Sequence, residues 1–304
     1  MKIIDAHMHF WDLEQNYLPW LSDPQPLANF RYGDYSALRR NYMPADYRRD
    51  SDGFDVVGGV FVETEWDPND PLGEIAWAKE LSAREGLPSV IVGQAWLHRP
   101  DAPAILAAYG SDSHVRGIRH KPRAASEPAA VEPGIPGSMG DPAWREGYMH
   151  LAPNALSFDL QTPWWHLEEA RALADDFGDT VIILNHTGLP SDRSPEGIAA
   201  WQAALANFAR APNTRIKISG IGIPGQRWTA EINRQIVLTA ISVFGTERAM
   251  FASNFPVDSL VADYKDIFHG FDDITSGFAL HERDNLFWRT ASQVYGVQFP
   301  GIGA

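Results

Sequence analysis

A chain of 304 residues with 44% hydrophobic content can bury a large core, and an α/β barrel with insertions uses about 250 residues or more as one domain. The formal net charge of -14 repels phosphate backbones and anionic membranes, which argues against nucleic acid or a membrane as partner. With no cysteine there is no disulfide, no thiolate metal site and no cysteine nucleophile, a composition that fits a reducing compartment.

The first element is an apolar run that turns polar at its end, Ile3-Ile4-Asp5-Ala6-His7-Met8-His9-Phe10. On a strand, His7 and His9 share one face with Met8 on the other, so both imidazoles aim at one point. A pair of hydrogen-bonded core or surface histidines is the plain alternative for any such doublet. Charged and polar residues at Lys2, Asp5, His7 and His9 interrupt the apolar stretch a signal peptide needs, and the run 56–62 is strand-length. The expectation is a cytoplasmic protein. Residues 11–55 are aromatic and irregular, with Pro19, Pro24, Pro26 and Pro44, and read as a long loop over the barrel mouth. Its Trp11, Trp20, Phe30, Tyr32 and Tyr35 form either an ordered lid or a packed plug.

Strands follow over 56–63 and 89–95, separated by a helix that Asp70-Pro71 starts and Gly86 ends. Asp101-Ala102-Pro103 opens the next helix, and 115–119 is the fourth strand. The Pro/Gly/Ser-rich stretch 122–142 is an inserted loop. Residues 155–160 form strand five, with a helix over 164–177; residues 180–185 form strand six, entering His186-Thr187-Gly188. Ser194-Pro195-Glu196 caps a helix whose Ile198, Trp201, Leu205 and Phe208 recur at helical spacing. Strands seven and eight occupy 215–219 and 249–253, the latter leading into Asn254-Phe255-Pro256-Val257-Asp258. Strands alternating with helices predict a parallel sheet, here a single-domain distorted TIM (β/α)8 barrel over 1–304 with loop insertions on its C-terminal face.

In such a barrel the strand ends converge on one cavity. The polar residues there are His7, His9, Glu63, Arg119, His120, His186, Lys217, Asn254 and Asp258. Arg119, His120, Lys121 and Arg123 cluster in an otherwise acidic chain, and guanidinium groups hold carboxylates bidentately. That points to a carboxylated or polyhydroxylated small molecule, with Arg119, His120, Lys217 and Trp11 as substrate contacts. Alternatively Arg119 pairs with Asp159 or Glu63 inside the barrel. Alternation on strand seven turns Ile216 and Ile218 to the helices and Lys217 inward. Trp164 and Trp165 either stack on a ring at the mouth or pack, while Trp201 and Trp288 belong to helix packing.

The segments Asp5-Ala6-His7-Met8-His9-Phe10-Trp11-Asp12, Val62-Glu63, Arg116-Gly117-Ile118-Arg119, Ser157-Phe158-Asp159-Leu160, Leu184-Asn185-His186-Thr187-Gly188, Lys217-Ile218-Ser219-Gly220 and Ser253-Asn254-Phe255-Pro256-Val257-Asp258 resemble, in this order, the amidohydrolase superfamily. The nearest likeness is to the amidohydrolase-2 group of TIM-barrel hydrolases, which includes sugar-acid lactonases and 2-pyrone-4,6-dicarboxylate lactonase. The resemblance implies attack by activated water on a cyclic ester. His7, His9 and His186 match the positions that would hold one divalent, zinc-like ion, which lowers the pKa of bound water to about 7. A metal-free route, in which the same imidazoles donate to an oxyanion, stays open. The strand-eight position normally held by aspartate is Asn254, and an amide cannot take a proton at neutral pH. The strand-four lysine and strand-five histidine are out of phase, so a binuclear site is not expected. Asp258 and Glu63 are then the nearest carboxylates for a general base; either could instead be structural, Asp258 as a helix cap. The expected function is a lactone hydrolase in which His186 is catalytic and Asn254 orients water or substrate. A metal-dependent decarboxylase and a non-catalytic binding protein are the rivals, and a homo-oligomer is compatible with either.

Overall fold

The computed structural model describes residues 1–27 and 30–299. Eight parallel strands pair in sequence order: β1 (Lys2–Met8), β2 (Asp55–Val62), β3 (Val90–Gln94), β4 (Val115–His120), β5 (Ser157–Leu160), β6 (Ile182–Leu184), β7 (Thr214–Ile218) and β8 (Ala249–Phe251). Each predicted strand is present, though β3, β5, β6 and β8 are shorter than expected. Ala155 stands in the left-handed region at φ 54, which delays entry to β5. Beyond Phe251 the chain leaves regular pairing and closes the ring against β1 through single bonds: Asn254 N donates to His7 O at 2.9 Å and His9 N to Phe255 O at 2.8 Å. The barrel is a TIM barrel with an irregular β8–β1 seam.

The helices between strands begin where the sequence placed caps. Asp70 accepts from Gly73 N ahead of the helix Pro71–Glu85, which ends at Gly86 with φ 76, and Ser194 accepts from Gly197 N ahead of Pro195–Phe208. The predicted helix 164–177 opens as a tight turn, Trp164–His166, before Leu167–Asp176. The inner core joins Ile4, Ala6, Val60, Val62, Val90, Val92, Ile183 and Met250 with Tyr295 and Val297 of the C-terminal segment, which stoppers the barrel opposite the site. Trp201 and Trp288 pack with the outer shell, as expected. No helix of the described residues is long and apolar enough to cross a membrane.

The segment after β1 is more regular than the proline pattern suggested. It contains helices Pro19–Ser22 and Pro44–Asp50 and a turn of 3-10 helix at Ser36–Leu38. Its aromatic residues pack on one another: Trp20 stacks on Phe30 with centroids 5.8 Å apart, and Phe30 meets Tyr35 at 4.6 Å. Such pairs add about 0.5–1.5 kcal/mol each beyond burial. An ordered wall over the mouth results.

Candidate active site

A bulge on β1 builds the floor of the site. The register against β2 pairs Asp5 with Gly59 and Met8 with Phe61, so three steps on β1 oppose two on β2. Ile4 and Ala6 face the inner core, and strict alternation from them would have turned His7 and His9 toward the helices. The extra residue re-aims both inward. His7 then lies 4.9 Å from His9 and 4.6 Å from His186, ring centroid to centroid, so the three imidazoles meet at the C-terminal end of the barrel.

They are not equivalent. His9 and His186 line a cavity of about 240 Å³ with Trp11, Arg31, Arg119, Gln161 and Asn254. His7 is fully buried beneath them. His9 Nδ1 donates to the Val62 carbonyl at 2.7 Å, which leaves Nε2 as the lone-pair nitrogen. His186 Nδ1 lies 2.9 Å from Ser219 Oγ, whose hydroxyl can donate or accept. Burial, reinforced by Arg119, lowers His9 to about 3; burial with Arg31 and Arg119 also pushes His186 well below the usual imidazole range. All three rings are neutral at physiological pH.

Backbone strain holds His186 in place. His186 and Thr187 both sit at φ 53 and Leu189 at φ 56, and a left-handed conformation is costly for the β-branched Thr187. Gly220, at φ 56, closes over the ring: a Cβ there would come 2.5 Å from His186 Nδ1. Only glycine fits that position.

Both expected carboxylate bases are engaged elsewhere. Asp258 Oδ1 accepts from Asn254 Nδ2 at 2.6 Å and from Tyr32 OH at 3.0 Å, buried behind the cavity wall. It is neither a helix cap nor in reach of substrate; it fixes the Asn254 amide so that Oδ1 is the end left for His9 and the cavity. Glu63 Oε1 is bound by Arg119 Nε and Oε2 by Glu65 N at 2.7 Å. Arg119 thus takes the internal pairing with Glu63, while its Nη1 reaches His7 Nε2 at 3.4 Å and Gln161 Oε1 at 3.2 Å on the cavity side. Lys217 points inward as alternation predicts but stops below the site, with Nζ 2.5 Å from Asp159 Oδ1 and both residues fully buried. It does not line the cavity, which corrects the expected substrate role. His120 belongs to a neighbouring basin, with Nδ1 accepting from Trp144 Nε1 at 3.0 Å. Trp11 forms cavity wall, its indole N–H spent on Arg40 O at 2.7 Å. Trp164 packs against the core, and Trp165 Nε1 donates to Ala125 O at 3.0 Å; neither reaches the cavity.

Of the cavity residues that escaped the sequence reading, among them Thr64, Glu65 and Leu189, Arg31 and Gln161 bear most on the chemistry. Arg31 comes from the aromatic segment, stacks over Tyr32 at 4.5 Å and donates to Gly220 O. Gln161 follows β5 directly, a strand-end position that could have flagged it.

The surroundings of the three rings oppose a divalent ion held by all of them. His7 Nε2 faces the Arg119 guanidinium and His7 Nδ1 is buried without a partner among the described residues, while the Nδ1 contacts of His9 and His186 leave only their Nε2 atoms open to the cavity. Lys217, Arg119 and Arg31 surround the rings with positive charge. Among the described residues no group of three or more His, Cys, Asp or Glu could hold a metal ion. The ligand set of His7, His9 and His186 expected from the sequence is not assembled as a metal-holding group among the described residues.

Burial raises Asp258 to about 6, against the pull of Arg31, Asn254 and Tyr32. A folded value above the unfolded one adds stability that is complete below about 4 and lost as pH rises through about 6. Asp258→Asn should therefore flatten the pH dependence of the melting temperature between about pH 4 and 6 relative to wild type. Parallel wild-type and variant melting curves would show Asp258 fully ionised if they kept equal slopes.

The fold and site can be set beside known proteins. The uncharacterized protein y4mH of Sinorhizobium fredii is 41% identical over 98% of this chain and 99% of its own length. The L-fucono-1,5-lactonase of Burkholderia multivorans is 24% identical over 98% of this chain and 97% of its own. A crystal structure of an amidohydrolase from Burkholderia multivorans with bound zinc superposes with a TM-score of 0.78 at 23% identity, covering 98% of this chain and 100% of that one. The family described as Amidohydrolase matches residues 4–297. Because that match runs from β1 through β8 and into the C-terminal stopper, every strand end that builds the cavity falls inside it, and the chain belongs to the amidohydrolase family.

Proposed function

We propose that the protein hydrolyses the cyclic ester of a small hydroxylated or carboxylated acid. The observation that carries the reading is the pairing of His9, whose Nε2 lone pair is fixed by its bond to Val62, with a second neutral imidazole and a guanidinium around one small cavity. The lactonases among the relatives support it. The family assignment alone supports a hydrolase.

In the proposed reaction a water held by Asn254 Oδ1 gives a proton to His9 Nε2 as its oxygen adds to the lactone carbonyl carbon. His186, with Ser219 donating to Nδ1, presents Nε2–H to the developing oxyanion, and Arg119 adds positive charge. His9 is a weak base in the free site because burial and Arg119 depress it. The oxyanion offsets Arg119, so basicity rises as addition proceeds. Collapse breaks the bond between acyl carbon and ring oxygen, and the ring oxygen takes the proton back from His9. The product is an open hydroxy acid.

The reading is tested by acid release from a panel of aldonic and dicarboxylate lactones, followed with a pH indicator. Failure on every lactone, together with CO₂ release from hydroxybenzoates, would transfer the site to decarboxylation. Since no protein group needs a metal to act, an excess of chelator should leave the rate within about twofold of its starting value. Loss of activity on chelation, restored by zinc, would overturn the metal-free route.

A further inference from the structure

The inner cavity is small. Its volume of about 240 Å³ lies below the roughly 300 Å³ at which ligand pockets usually begin, so one ring fills it. It is not isolated. A second basin of about 580 Å³ adjoins it, and Trp20, Leu27, Glu65, Arg119 and Lys121 line both. The Glu65–Lys121 ion pair stands on the ridge between them.

The outer basin carries polar groups that the fold leaves unused. Gln94, at the end of β3, is 9% exposed; its Oε1 is buried without a partner among the described residues, a state that costs about 1–3 kcal/mol unless a ligand or water supplies a donor. His120, equally buried, uses Nδ1 as acceptor for Trp144 Nε1, so its proton sits on Nε2 as a donor without a partner among the described residues. Trp66 and Trp96 complete the wall. Aromatic faces beside an unpaired amide acceptor and an imidazole donor match a ring with C–H faces and hydroxyl edges.

We propose that the outer basin is a second subsite for a sugar ring, and that the preferred substrate is a lactone carrying a glycosyl substituent: the lactone ring sits over His9 and His186, and the appended ring reaches past Glu65 and Lys121 to Gln94 and His120. This rests on the lactonase reading for the inner cavity, but the binding of the outer ring does not.

The test compares the 1,5-lactone of a single hexonic acid with that of an aldobionic acid, and adds calorimetric binding of the open aldobionic acid. The expected results are a higher kcat/KM for the disaccharide lactone and about a 3- to 10-fold loss of that advantage in Gln94→Leu and Trp96→Ala, with single-ring turnover unchanged. The open acid should bind wild type more tightly than either variant. Equal kcat/KM for the two lactones, or variants that slow both alike, would overturn the subsite and leave the lactonase reading intact. Variant-sensitive binding of the acid without turnover of any lactone would keep the subsite and remove the lactonase reading. No binding of the acid would overturn the subsite.

Discussion

Replacing His186 by asparagine is expected to lower kcat on a hydrolysed lactone by about 10²–10⁴-fold, the usual contribution of a positioned acid–base or oxyanion group. Asparagine is the informative choice because it tolerates the left-handed backbone at φ 53, whereas most other residues would add strain of their own. The loss should fall on kcat more than on KM, since the imidazole acts on charge that develops in the transition state. Its Ser219 partner gives a second readout. Ser219→Ala removes the bond to Nδ1 and frees the tautomer, so it should cost less than the ring itself and alter the acid limb of the pH profile. An asparagine variant with a wild-type melting temperature and more than about a third of the activity would remove His186 from the reaction.

The second large effect falls on stability. Lys217 and Asp159 form an ion pair with both side chains fully buried, and Asp159 also accepts from Tyr295 OH at 2.9 Å and Asn185 Nδ2 at 2.9 Å. Lys217→Met leaves that carboxylate in the barrel with neutral donors alone, which should cost about 3–5 kcal/mol. The melting temperature should fall by roughly 10 °C. Burial lowers the Lys217 pKa against the pull of Asp159, so the ammonium charge is sustained by that carboxylate rather than by solvent. The double variant Lys217→Met with Asp159→Asn should recover much of the loss, because no unpaired charge remains. A single variant that melts within about 2 °C of wild type would show the pair to be dispensable. These variants also separate the stopper from the site: Tyr295 ties the C-terminal segment to Asp159, so loosening should appear first as hydrogen exchange in Thr290–Tyr295.

The difference between these two sites shows where sequence reasoning stopped. His186 and Lys217 both lie at strand ends and both face inward, yet one meets the cavity and the other an internal carboxylate. Alternation gives the face of a strand but not the depth at which a side chain ends. The same limit applies to Glu63 and Asp258, acidic residues in the right loops whose oxygens are consumed by Arg119, the Glu65 amide, Asn254 and Tyr32. Arg31 was invisible for another reason. It comes from a segment whose conformation follows from aromatic packing among distant residues, and no local period marks which of its side chains turns inward.

The sequence by itself determined the barrel, the order of its strands, the helix caps at Asp70 and Ser194, and the placing of His9, His186, Arg119 and Asn254 at strand exits of one end. Those features depend on short-range patterns: apolar runs of strand length, capping residues, and polar groups at strand exits. Tertiary structure alone decided the bulge that turns His7 and His9 inward, the division of the mouth into an inner and an outer cavity, and which charged groups are spent on one another. Each of those outcomes depends on contacts between residues far apart in the chain, where one hydrogen-bond partner gained or lost outweighs any local preference.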